Sequence, residues 1–418
     1  MIPAIDVHLS TGPGGVDTLV GRARFNLRHG SISTSFTYDE SYLARPGALA
    51  IDPGMPLRST FSFCDGLPGA FRDSSPDRWG RHLISRRFAA EAREASGPMR
   101  SLDEVDYLLG VHDGARQGAL RFSRPGEGVR LSPEGSIPPV VELKRLLRAS
   151  DGVARGSEDA GSVRELLDAG SGSLGGARPK ATVLDDGRLF MAKFSHPDDE
   201  WDVMGWEKTA LDLAAGAGIA VPSSRLVRLD AGSALVLERF DREGGRFDGK
   251  RLPYMSAMTL LGAKDGEQHD YLEVADALPT LCAHPSGELH ELFRRIVFSI
   301  AIHNTDDHLR NIGFIYTAAG GWHLSPLFDV NPEFDAGRER ATTIYGEAGE
   351  GEYGALAESV AYFGLGRGEA RRIVEEVCAA LMCWQAVAKR NGCPAREIPL
   401  LSPVLDGRVR ALKGAFGL

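Results

Sequence analysis

The sequence predicts an α+β fold in which a β-rich region precedes a region made mostly of helices. Up to residue 250, short segments of strand-like alternation are separated by turn signals such as Asp186-Gly187. After Pro253, apolar residues instead recur at three- and four-residue steps, which is the spacing of one helix face. The chain has 418 residues, of which 43% are apolar and 25% are charged, so about two or three packed domains are expected rather than a fibrous or disordered chain.

The charge balance and the cysteines argue against several classes of protein. The 48 basic and 57 acidic side chains leave a net charge of −9, which is unsuited to coating nucleic acid without a partner. The longest apolar stretches, such as residues 296–302, are much shorter than a membrane span, and the amino terminus lacks the pattern of a signal peptide. Five cysteines without a C-x-x-C pair indicate reduced thiols, so a cytoplasmic protein with no membrane partner is expected.

The first 125 residues are expected to form an amino-terminal subdomain. Residues 18–25 and 31–38 show the alternation of two strands. Ser75 followed by Pro76 predicts the cap and first residue of a helix that continues to Ala95. A stretch rich in Gly, Pro and Ser then predicts a linker. The predicted division of the chain is 1–125, 126–250 and 251–418.

The middle region is expected to be rich in β-structure. A Gly- and Ser-rich segment at residues 170–176 precedes a hairpin that turns at Asp185-Asp186-Gly187. The predicted elements of this region are a helix at 139–149, strands at 181–184 and 188–194, a helix at 202–216, and strands at 224–229 and 233–238.

The last region is expected to be helical. Its clearest signal is a stripe of apolar side chains at helical spacing, made of Leu289, Leu292, Phe293, Ile296, Val297 and Ile300. The helical pattern ends at His303-Asn304-Thr305. A hairpin with strands at 311–316 and 322–325 follows, and the chain after Glu358 returns to helical spacing.

The glycine segment is the first candidate for chemistry. Gly170, Gly172 and Gly175 fit G-x-G-x-x-G, and glycines let backbone N–H groups close on phosphate oxygens. No Gly-Lys-Ser/Thr closes a Walker loop, and a hairpin rather than a helix follows, unlike a dinucleotide fingerprint. A glycine loop followed by a hairpin is the arrangement that protein kinases place over ATP, although a flexible linker is the simpler alternative.

A lysine on an apolar strand is the second candidate. Lys193 lies between Ala192 and Phe194, where an unpaired ammonium group would be costly. The following helix places Glu207 among apolar residues on one face, so a Lys193–Glu207 pair is expected, as in kinases. A strand-edge lysine and a surface glutamate without mutual contact remain the alternative.

The third candidate is the polar segment at residues 303–311, which follows the buried helix. Asp306 precedes Asn311 by five residues, which is the kinase spacing of a catalytic base and a metal-binding amide. Asp329 follows a hairpin, where kinases place a second metal-binding acid, although here it begins Asp-Val-Asn rather than Asp-Phe-Gly. The order of glycine loop, strand Lys, helix Glu, Asp, Asn and Asp predicts a protein-kinase-like bilobal fold.

A metal-dependent phosphohydrolase is a competing interpretation. His-Asp dipeptides occur at His112-Asp113 and His269-Asp270. The polar segment could add His303, Asp306 and His308 to such a cluster. No metal-ligand spacing joins these residues, however, and the glycine loop would have no function in that reaction.

Taken together, these segments resemble the HipA family of serine/threonine kinase toxins, which belong to bacterial toxin–antitoxin pairs. The resemblance covers nearly the whole chain. Its motifs are Ser173-Leu174-Gly175-Gly176-Ala177-Arg178-Pro179-Lys180, Met191-Ala192-Lys193-Phe194, Leu237-Glu238-Arg239-Phe240-Asp241-Arg242 and Asn304-Thr305-Asp306-Asp307-His308-Leu309-Arg310-Asn311. Tyr42-Leu43-Ala44-Arg45-Pro46 and Gly66-Leu67-Pro68 are similar to the amino-terminal subdomain of the family.

The resemblance implies a site for ATP and Mg²⁺. It implies that Asp306 is the base, that Asn311 and Asp329 carry Mg²⁺, and that His308 and Arg310 line the same loop. The implied ATP contacts are the phosphate loop (Gly175, Gly176, Ala177, Arg178, Pro179 and Lys180), Lys193, and a hinge for adenine (Glu238, Arg239 and Phe240). Proline at position 179 removes one backbone donor from the phosphate loop.

The resemblance also implies regulation and partners. Ser173 stands where family members phosphorylate themselves, which expels the phosphate loop and switches activity off, and Ser171 is a rival acceptor. The implied substrate is a protein, such as an aminoacyl-tRNA synthetase, and the implied partner is a helix-turn-helix antitoxin. Because this acidic chain has no recognisable helix-turn-helix, DNA contact would come mainly from the antitoxin. The alternative is a kinase-fold binding partner that acts mainly as a co-repressor.

Overall fold

The computed structural model describes residues 4–11, 17–28, 31–95, 100–128, 131, 136–157, 160–172, 178–317 and 320–418. The strands are β1 (Ala4–Leu9), β2 (Thr18–Arg28), β3 (Ser31–Tyr38), β4 (Ser62–Asp65), β5 (Leu120–Ser123), β6 (Lys180–Asp185), β7 (Arg188–Phe194), β8 (Ser224–Leu229), β9 (Gly232–Glu238), β10 (Tyr254–Ser256), β11 (His269–Asp270), β12 (Gly313–Thr317), β13 (Gly321–Leu324) and β14 (Thr342–Thr343).

The helices follow the same chain order. They are α1 (Glu40–Leu43), α2 (Gly69–Asp73), α3 (Arg78–Glu94), α4 (Glu104–Gly110), α5 (Leu143–Ala154), α6 (Ala160–Asp168), α7 (Val203–Gly216), α8 (Ala257–Leu260), α9 (Tyr271–Leu281), α10 (Pro285–Ala301), α11 (Glu352–Glu358), α12 (Arg367–Leu381), α13 (Trp384–Arg390) and α14 (Ile398–Ala415). Within the described part of the chain, no helix is long and apolar enough to cross a membrane.

The chain divides into two compact units. The first unit comprises Met1–Asp198 and Val227–Met255, and the second comprises Asp199–Leu226 and Ser256–Leu418. The five-stranded and four-stranded sheets lie mainly in the first unit, and most of the second unit is helical. The predicted α+β class is therefore confirmed. Helix α7, which the sequence placed in the middle region, belongs to the second unit. The division at residues 125 and 250 stays a prediction.

A five-stranded sheet forms the amino-terminal part of the first unit, with the order β4-β3-β2-β1-β5. Alternation explains β3, since Ile32, Thr34, Phe36 and Tyr38 are buried while the residues between them are only partly covered. The buried face of this sheet packs in a hydrophobic core that also includes Phe71 of α2. The two strands that alternation predicted are therefore present, although part of the turn between them lies outside the described residues.

The predicted start of α3 is wrong by two residues. Asp77, not Ser75, is the N-cap, because its carboxylate accepts a hydrogen bond of 2.7 Å from the N–H of Gly80. The hydroxyl of Ser75 instead donates to the carbonyl of Phe71 in the middle of α2. The sequence offered two good capping residues, and the tertiary contacts of Asp77 described below favour the second.

A four-stranded sheet, with the order β6-β7-β9-β8, lies beside a second core in the first unit. The predicted β6–β7 hairpin is confirmed, and both residues of its two-residue turn, Asp186 and Gly187, have positive φ angles of 47° and 72°. Such a turn matches the twist of paired strands, which explains why Asp-Gly is an effective signal. Helix α5 covers residues 143–154 rather than 139–149, and α6 was not predicted.

Helix α10 is the centre of the second unit. All six residues of the predicted apolar stripe are buried, which confirms the helix and its inward face. The chain leaves the helix through His303, which has a left-handed φ of 55°. The hairpin that follows pairs β12 with β13, and Phe314 lies opposite Leu324. Asn311, predicted to begin the first strand, instead ends a short 3₁₀ turn, Leu309–Asn311.

Candidate active site

The described residues include only the flanks of the predicted phosphate loop. Ser173, Gly175, Gly176 and Ala177 lie outside the described residues. On the carboxyl side, Arg178 is half-buried, the carbonyl of Pro179 accepts a hydrogen bond of 2.9 Å from Phe194, and Lys180 begins β6. The loop therefore leads directly into the strand that pairs with the strand of Lys193.

Lys180 and Lys193 stand directly opposite each other in the β6–β7 ladder. Opposite residues of an antiparallel pair project to the same face of the sheet, with Cβ atoms about 5 Å apart. Both lysines are buried, and Lys180 forms an ion pair with Asp77. The charge of Lys180 is therefore compensated within the protein, and two ammonium groups project to one face of this sheet.

Glu207 is buried in the middle of α7, among apolar neighbours that include Trp206 and Ala210. Lys193 is buried as well, so neither side chain is the exposed surface residue that the alternative interpretation required. The two residues belong to different units of the chain. Their pairing stays a prediction.

The predicted hinge begins where β9 ends. Glu238 is half-buried and forms an ion pair with Arg188 of β7. Phe240 is half-buried, and its ring centroid lies 6.3 Å from that of Tyr254. Arg239 is buried and its backbone N–H donates to Leu189, so its main chain is already engaged by the sheet.

The guanidinium group of Arg239 takes part in a buried charge network that the sequence did not reveal. Arg239 Nε donates to Asp241 over 2.7 Å, and Arg242 donates to the same carboxylate over 2.7 Å. The N–H of Gly118 is a third donor to it. Burial alone would raise the pKa of Asp241, but the charges of Arg239 and Arg242 outweigh burial and hold this pKa well below its ordinary value. The hinge is thereby fixed to the loop that contains Gly118.

The polar segment after α10 contains two neighbouring aspartates in very different surroundings. The side chain of Asp306 is 71% exposed. The side chain of Asp307 is 5% exposed and is bound by Arg340 Nη1 over 2.6 Å. The hydroxyl of Tyr271 donates to it over 2.8 Å, and burial, followed by the charge of Asp307, raises the pKa of that tyrosine well above its ordinary value. Asp307 is thus a structural acid, whereas Asp306 is accessible to a substrate.

Two of the other predicted residues of this loop lie close to Asp306, and the third does not. Asn311 Nδ2 donates to the carbonyl of Asp306 over 2.8 Å, and His308 Nε2 lies 3.8 Å from its carboxylate. Arg310 extends to the surface, where its Nη2 donates to Asp265 over 2.7 Å. Because Nδ2 of Asn311 is engaged by the backbone, its carbonyl oxygen is the atom suited to ligate a cation.

Asp329 has a left-handed backbone, with a φ of 55°. This conformation is uncommon outside glycine, costs free energy, and concentrates at functional sites. The surrounding chain fixes it, since Val330 is buried and the N–H of Asn331 donates to Asn304 over 3.4 Å. The carboxylate of Asp329 and the amide oxygen of Asn311 are hard oxygen donors, which Mg²⁺ prefers.

The residues of the alternative metal-dependent site have other structural functions. Asp113 binds Arg121 and Arg251, Asp270 caps α9, and His303 Nε2 lies 2.8 Å from the carbonyl of Asp335. Among the described residues, no three His, Cys, Asp or Glu side chains cluster in a way that could hold a metal ion. A kinase-type magnesium site needs fewer protein ligands than such a cluster, because phosphate oxygens supply several of them.

The sequence did not predict the buried ion pairs near the candidate site, which include Lys180–Asp77, Arg239–Asp241 and Arg340–Asp307. The partners of Lys180 and Arg340 lie 103 and 33 positions away. No local pattern in the sequence identifies such partners. The clustering of charged residues at Asp241-Arg242 and Asp306-Asp307 was a signal that these segments take part in ion pairs, but it did not identify the partners.

Comparison with known families and structures gives a consistent result. The model of the HipA-like C-terminal domain matches residues 172–384, and that of the HipA N-terminal domain matches residues 17–104. The first match contains the described residues of the candidate site from Lys180 to Asp329. The second contains Asp77 and Gly80.

Individual proteins are also similar to this chain, and two of them are described here. One is HipA from Shewanella oneidensis MR-1, solved in complex with HipB and operator DNA. This HipA is 16% identical to the chain, and the match covers 99% of this chain and 98% of that chain with a TM-score of 0.65. This likeness shows the fold. The other is a Haemophilus influenzae protein named "Putative kinase", 27% identical over 135 residues. That match covers 29% of this chain, and the chain spans only 39% of the length of that relative.

Proposed function

The chain belongs to the HipA family, and we propose that it is a Mg-ATP-dependent serine/threonine protein kinase that acts as the toxin of a toxin–antitoxin pair. The observation that carries this proposal is the contrast between Asp306 and Asp307. Only the first carboxylate is accessible, and it stands five residues before an asparagine whose amide is bonded to its backbone. A kinase requires this arrangement, since its base must reach a protein hydroxyl.

The residues of the first unit are proposed to bind ATP. Lys193 would meet the phosphates with its ammonium group, and Lys180 and the backbone at Gly175 and Gly176 would complete the phosphate loop. The backbone near Glu238 and Phe240 would hold adenine. The position of both lysines on one face of the sheet, beside the strand that follows the loop, supports this assignment.

The residues of the second unit are proposed to carry out the transfer. Asp306 would orient the target hydroxyl and accept its proton, while Asn311 and Asp329 would hold Mg²⁺ through oxygen atoms. Bound Mg²⁺ supplies neutralisation of the triphosphate charge. The left-handed conformation of Asp329 supports this assignment, because the chain maintains a strained backbone there.

Ser173 is proposed to be the site of inhibitory autophosphorylation. The rival acceptor Ser171 is fully buried, so its hydroxyl is poorly placed to reach a phosphate donor. This burial favours Ser173, which itself lies outside the described residues.

The proposed partners are a protein substrate, for example an aminoacyl-tRNA synthetase, and a cognate helix-turn-helix antitoxin. The Shewanella HipA was solved with HipB and operator DNA, which supports an antitoxin and, through it, DNA for this chain. The same complex favours the second candidate function, that of a co-repressor without phosphoryl transfer.

One experiment distinguishes the two functions. The protein is incubated with Mg²⁺ and γ-labelled ATP, and phosphorylated residues are mapped on the chain itself and on an added bacterial protein extract. A kinase transfers label, and Asp306→Asn does not. The exposed Asp276 of α9 offers a matched control, since Asp276→Asn makes the same chemical change away from the loop. Binding of ATP without any transfer would favour the co-repressor.

A further inference from the structure

The first turn of α3 contacts the chain on both sides of the phosphate loop. After the loop, Lys180 forms its ion pair with Asp77, the N-cap of α3. Before the loop, Gly172 approaches Gly80 in the same turn. The two residues that contact this turn, Gly172 and Lys180, thus lie in sequence before and after residues 173–177, which are outside the described residues.

Asp77 uses both carboxylate oxygens in this arrangement. Oδ1 accepts from the N–H of Gly80, and Oδ2 accepts from the ammonium group of Lys180. The two side chains are almost inaccessible, with 6% of Asp77 and 2% of Lys180 exposed. A buried ion pair of this kind holds its partners firmly, because separating them leaves each charge uncompensated. The ammonium group of Lys180 is thus held by a carboxylate of the amino-terminal region.

The contact between Gly80 and Gly172 is made by backbone atoms. A Cβ placed on Gly80 would lie 2.5 Å from the Cα of Gly172 and 2.9 Å from Cβ of Pro76. Real side chains do not tolerate such distances, so this contact requires glycine at position 80. Gly172, which precedes the phosphate loop, consequently contacts the helix through backbone atoms with no side chain between them.

Helix α3 is held in place by its packing in a hydrophobic core. Trp79, Leu83 and Ile84 are buried in the core that also contains Ala192 and Phe194 of β7. Since close-packed cores transmit displacement instead of absorbing it, the first turn of α3 has a fixed position relative to the strand of Lys193. The helix can therefore hold the residues that contact it in a fixed position relative to β7.

We infer that the first turn of α3 anchors both ends of the phosphate loop and that Asp77 is a positioning residue that acts on nucleotide phosphates through Lys180. This inference rests on the proposed function for its nucleotide, but the anchoring itself does not. It assigns a function to the region matched by the HipA N-terminal domain, which would then form part of the phosphate-binding machinery. Phosphate affinity should accordingly depend on a residue that does not touch the nucleotide.

The first test compares Asp77→Asn with Asp103→Asn in the full chain. Asparagine retains capping ability, so α3 keeps its cap while the charge that holds Lys180 is lost. Asp103 is the N-cap of α4 and provides the same chemical change at another helix. For Asp77→Asn, the affinity for Mg-ATP should fall about tenfold to a hundredfold, a usual effect of removing a group that orients a ligand-binding side chain. The affinity for adenosine, which has no phosphate, should not change in either variant.

The second test measures hydrogen exchange of the protein without nucleotide. Asp77→Asn should speed exchange of peptides that cover residues 171–180 by about tenfold, because these ends are no longer held. Gly80→Ala should do the same without changing any charge, although alanine ordinarily favours a helix. Gly368→Ala in α12, where a Cβ meets open space, is the matched control and should leave the loop unaffected.

The outcomes separate this inference from the proposed function. Unchanged exchange at residues 171–180 in both Asp77→Asn and Gly80→Ala would overturn the anchor. Equal losses of ATP and adenosine affinity, or no loss of either, would overturn the positioning of phosphates by Asp77. If the unmodified protein bound neither ATP nor adenosine, the proposed function would fail, and the exchange measurements would still decide whether the loop is anchored.

Discussion

Asp306 and Asp307 are adjacent in sequence, yet their carboxylates lie in opposite environments. The first is largely exposed and the second is buried against Arg340. Tyr271 and Thr342 add hydrogen bonds to the buried carboxylate. A proton acceptor must be reachable by its donor, and a carboxylate already bound by a guanidinium group is a poor base. The structure therefore favours Asp306 for chemistry and Asp307 for holding the loop in place.

Asp306→Asn should abolish phosphoryl transfer while ATP still binds. Asparagine is isosteric but cannot accept the proton of the target hydroxyl, so the rate should fall on the order of a hundredfold or more. Transfer is measured with labelled ATP and binding by calorimetry, with Asp276→Asn as the control. Transfer at a near-normal rate by Asp306→Asn would refute its assignment as the base.

Arg340→Met should instead destabilise the fold. Its guanidinium group binds Asp307 and also Glu352, each over 2.6 Å, and all three side chains are buried. Removing it leaves the buried Asp307 without a guanidinium partner and leaves Glu352 with Arg408 alone, which should lower the free energy of unfolding by about 3–5 kcal/mol. Chemical denaturation measures this loss. Arg338→Met, which removes a more exposed guanidinium group from the same segment, should lower stability by less than about 1 kcal/mol. Equal losses in the two variants would contradict the structural function of Arg340.

Asp329→Asn should remove the effect of Mg²⁺ on ATP binding and preserve the fold. Asparagine tolerates the left-handed backbone at this position but lacks the charge that attracts a divalent cation. Calorimetric titration of ATP with and without Mg²⁺ should show a strong magnesium effect in the unmodified protein and little in the variant. Asp335→Asn, in the exposed turn that follows, is the control. A magnesium effect of unchanged size in Asp329→Asn would remove this residue from the site.

Lys193→Met should weaken ATP binding and lower stability, as expected for one member of a buried pair with Glu207. Both side chains are buried, so an unpaired charge on either is costly. A double-mutant cycle with Glu207→Gln measures the coupling in the free energy of unfolding. Lys208→Met, on the same helix as Glu207 but paired with Asp212, should not show such coupling with Lys193→Met. Additive effects of Lys193→Met and Glu207→Gln would contradict the pair.

Local patterns in the sequence predicted those parts of the fold that depend on neighbouring residues. The turn at Asp186-Gly187 and the apolar stripe of α10 are of this kind, since each is determined within a few positions. The cap of α3 was misplaced, because Ser75 and Asp77 are both good caps and the choice involves Lys180, 103 residues later. For the same reason, the sequence could not show which of Asp306 and Asp307 is accessible. Burial depends on Arg340 and Tyr271, which belong to other segments.

Ser173 should become phosphorylated during incubation with Mg-ATP, and this modification should be inhibitory. A phosphate adds roughly two negative charges, which would repel the phosphates of ATP if the loop stayed in place. Glycines on either side give the loop many accessible backbone states, so movement away from the nucleotide is the expected response. Mass spectrometry should find phosphate on Ser173 and not on the buried Ser171.

The Ser173→Ala variant provides the comparison. It cannot be modified at this position, so it should retain transfer to a protein target after prolonged incubation, while the unmodified protein loses it. Ser171→Ala is the matched control, and it should still be phosphorylated and lose activity at the usual rate. Phosphate found only on Ser171, or a protein phosphorylated at Ser173 that binds ATP as tightly as Ser173→Ala, would overturn inhibition through this residue. Because salt screens this repulsion as well as the attraction between ATP and the lysines, the difference in ATP affinity between the phosphorylated protein and Ser173→Ala should become smaller as ionic strength rises.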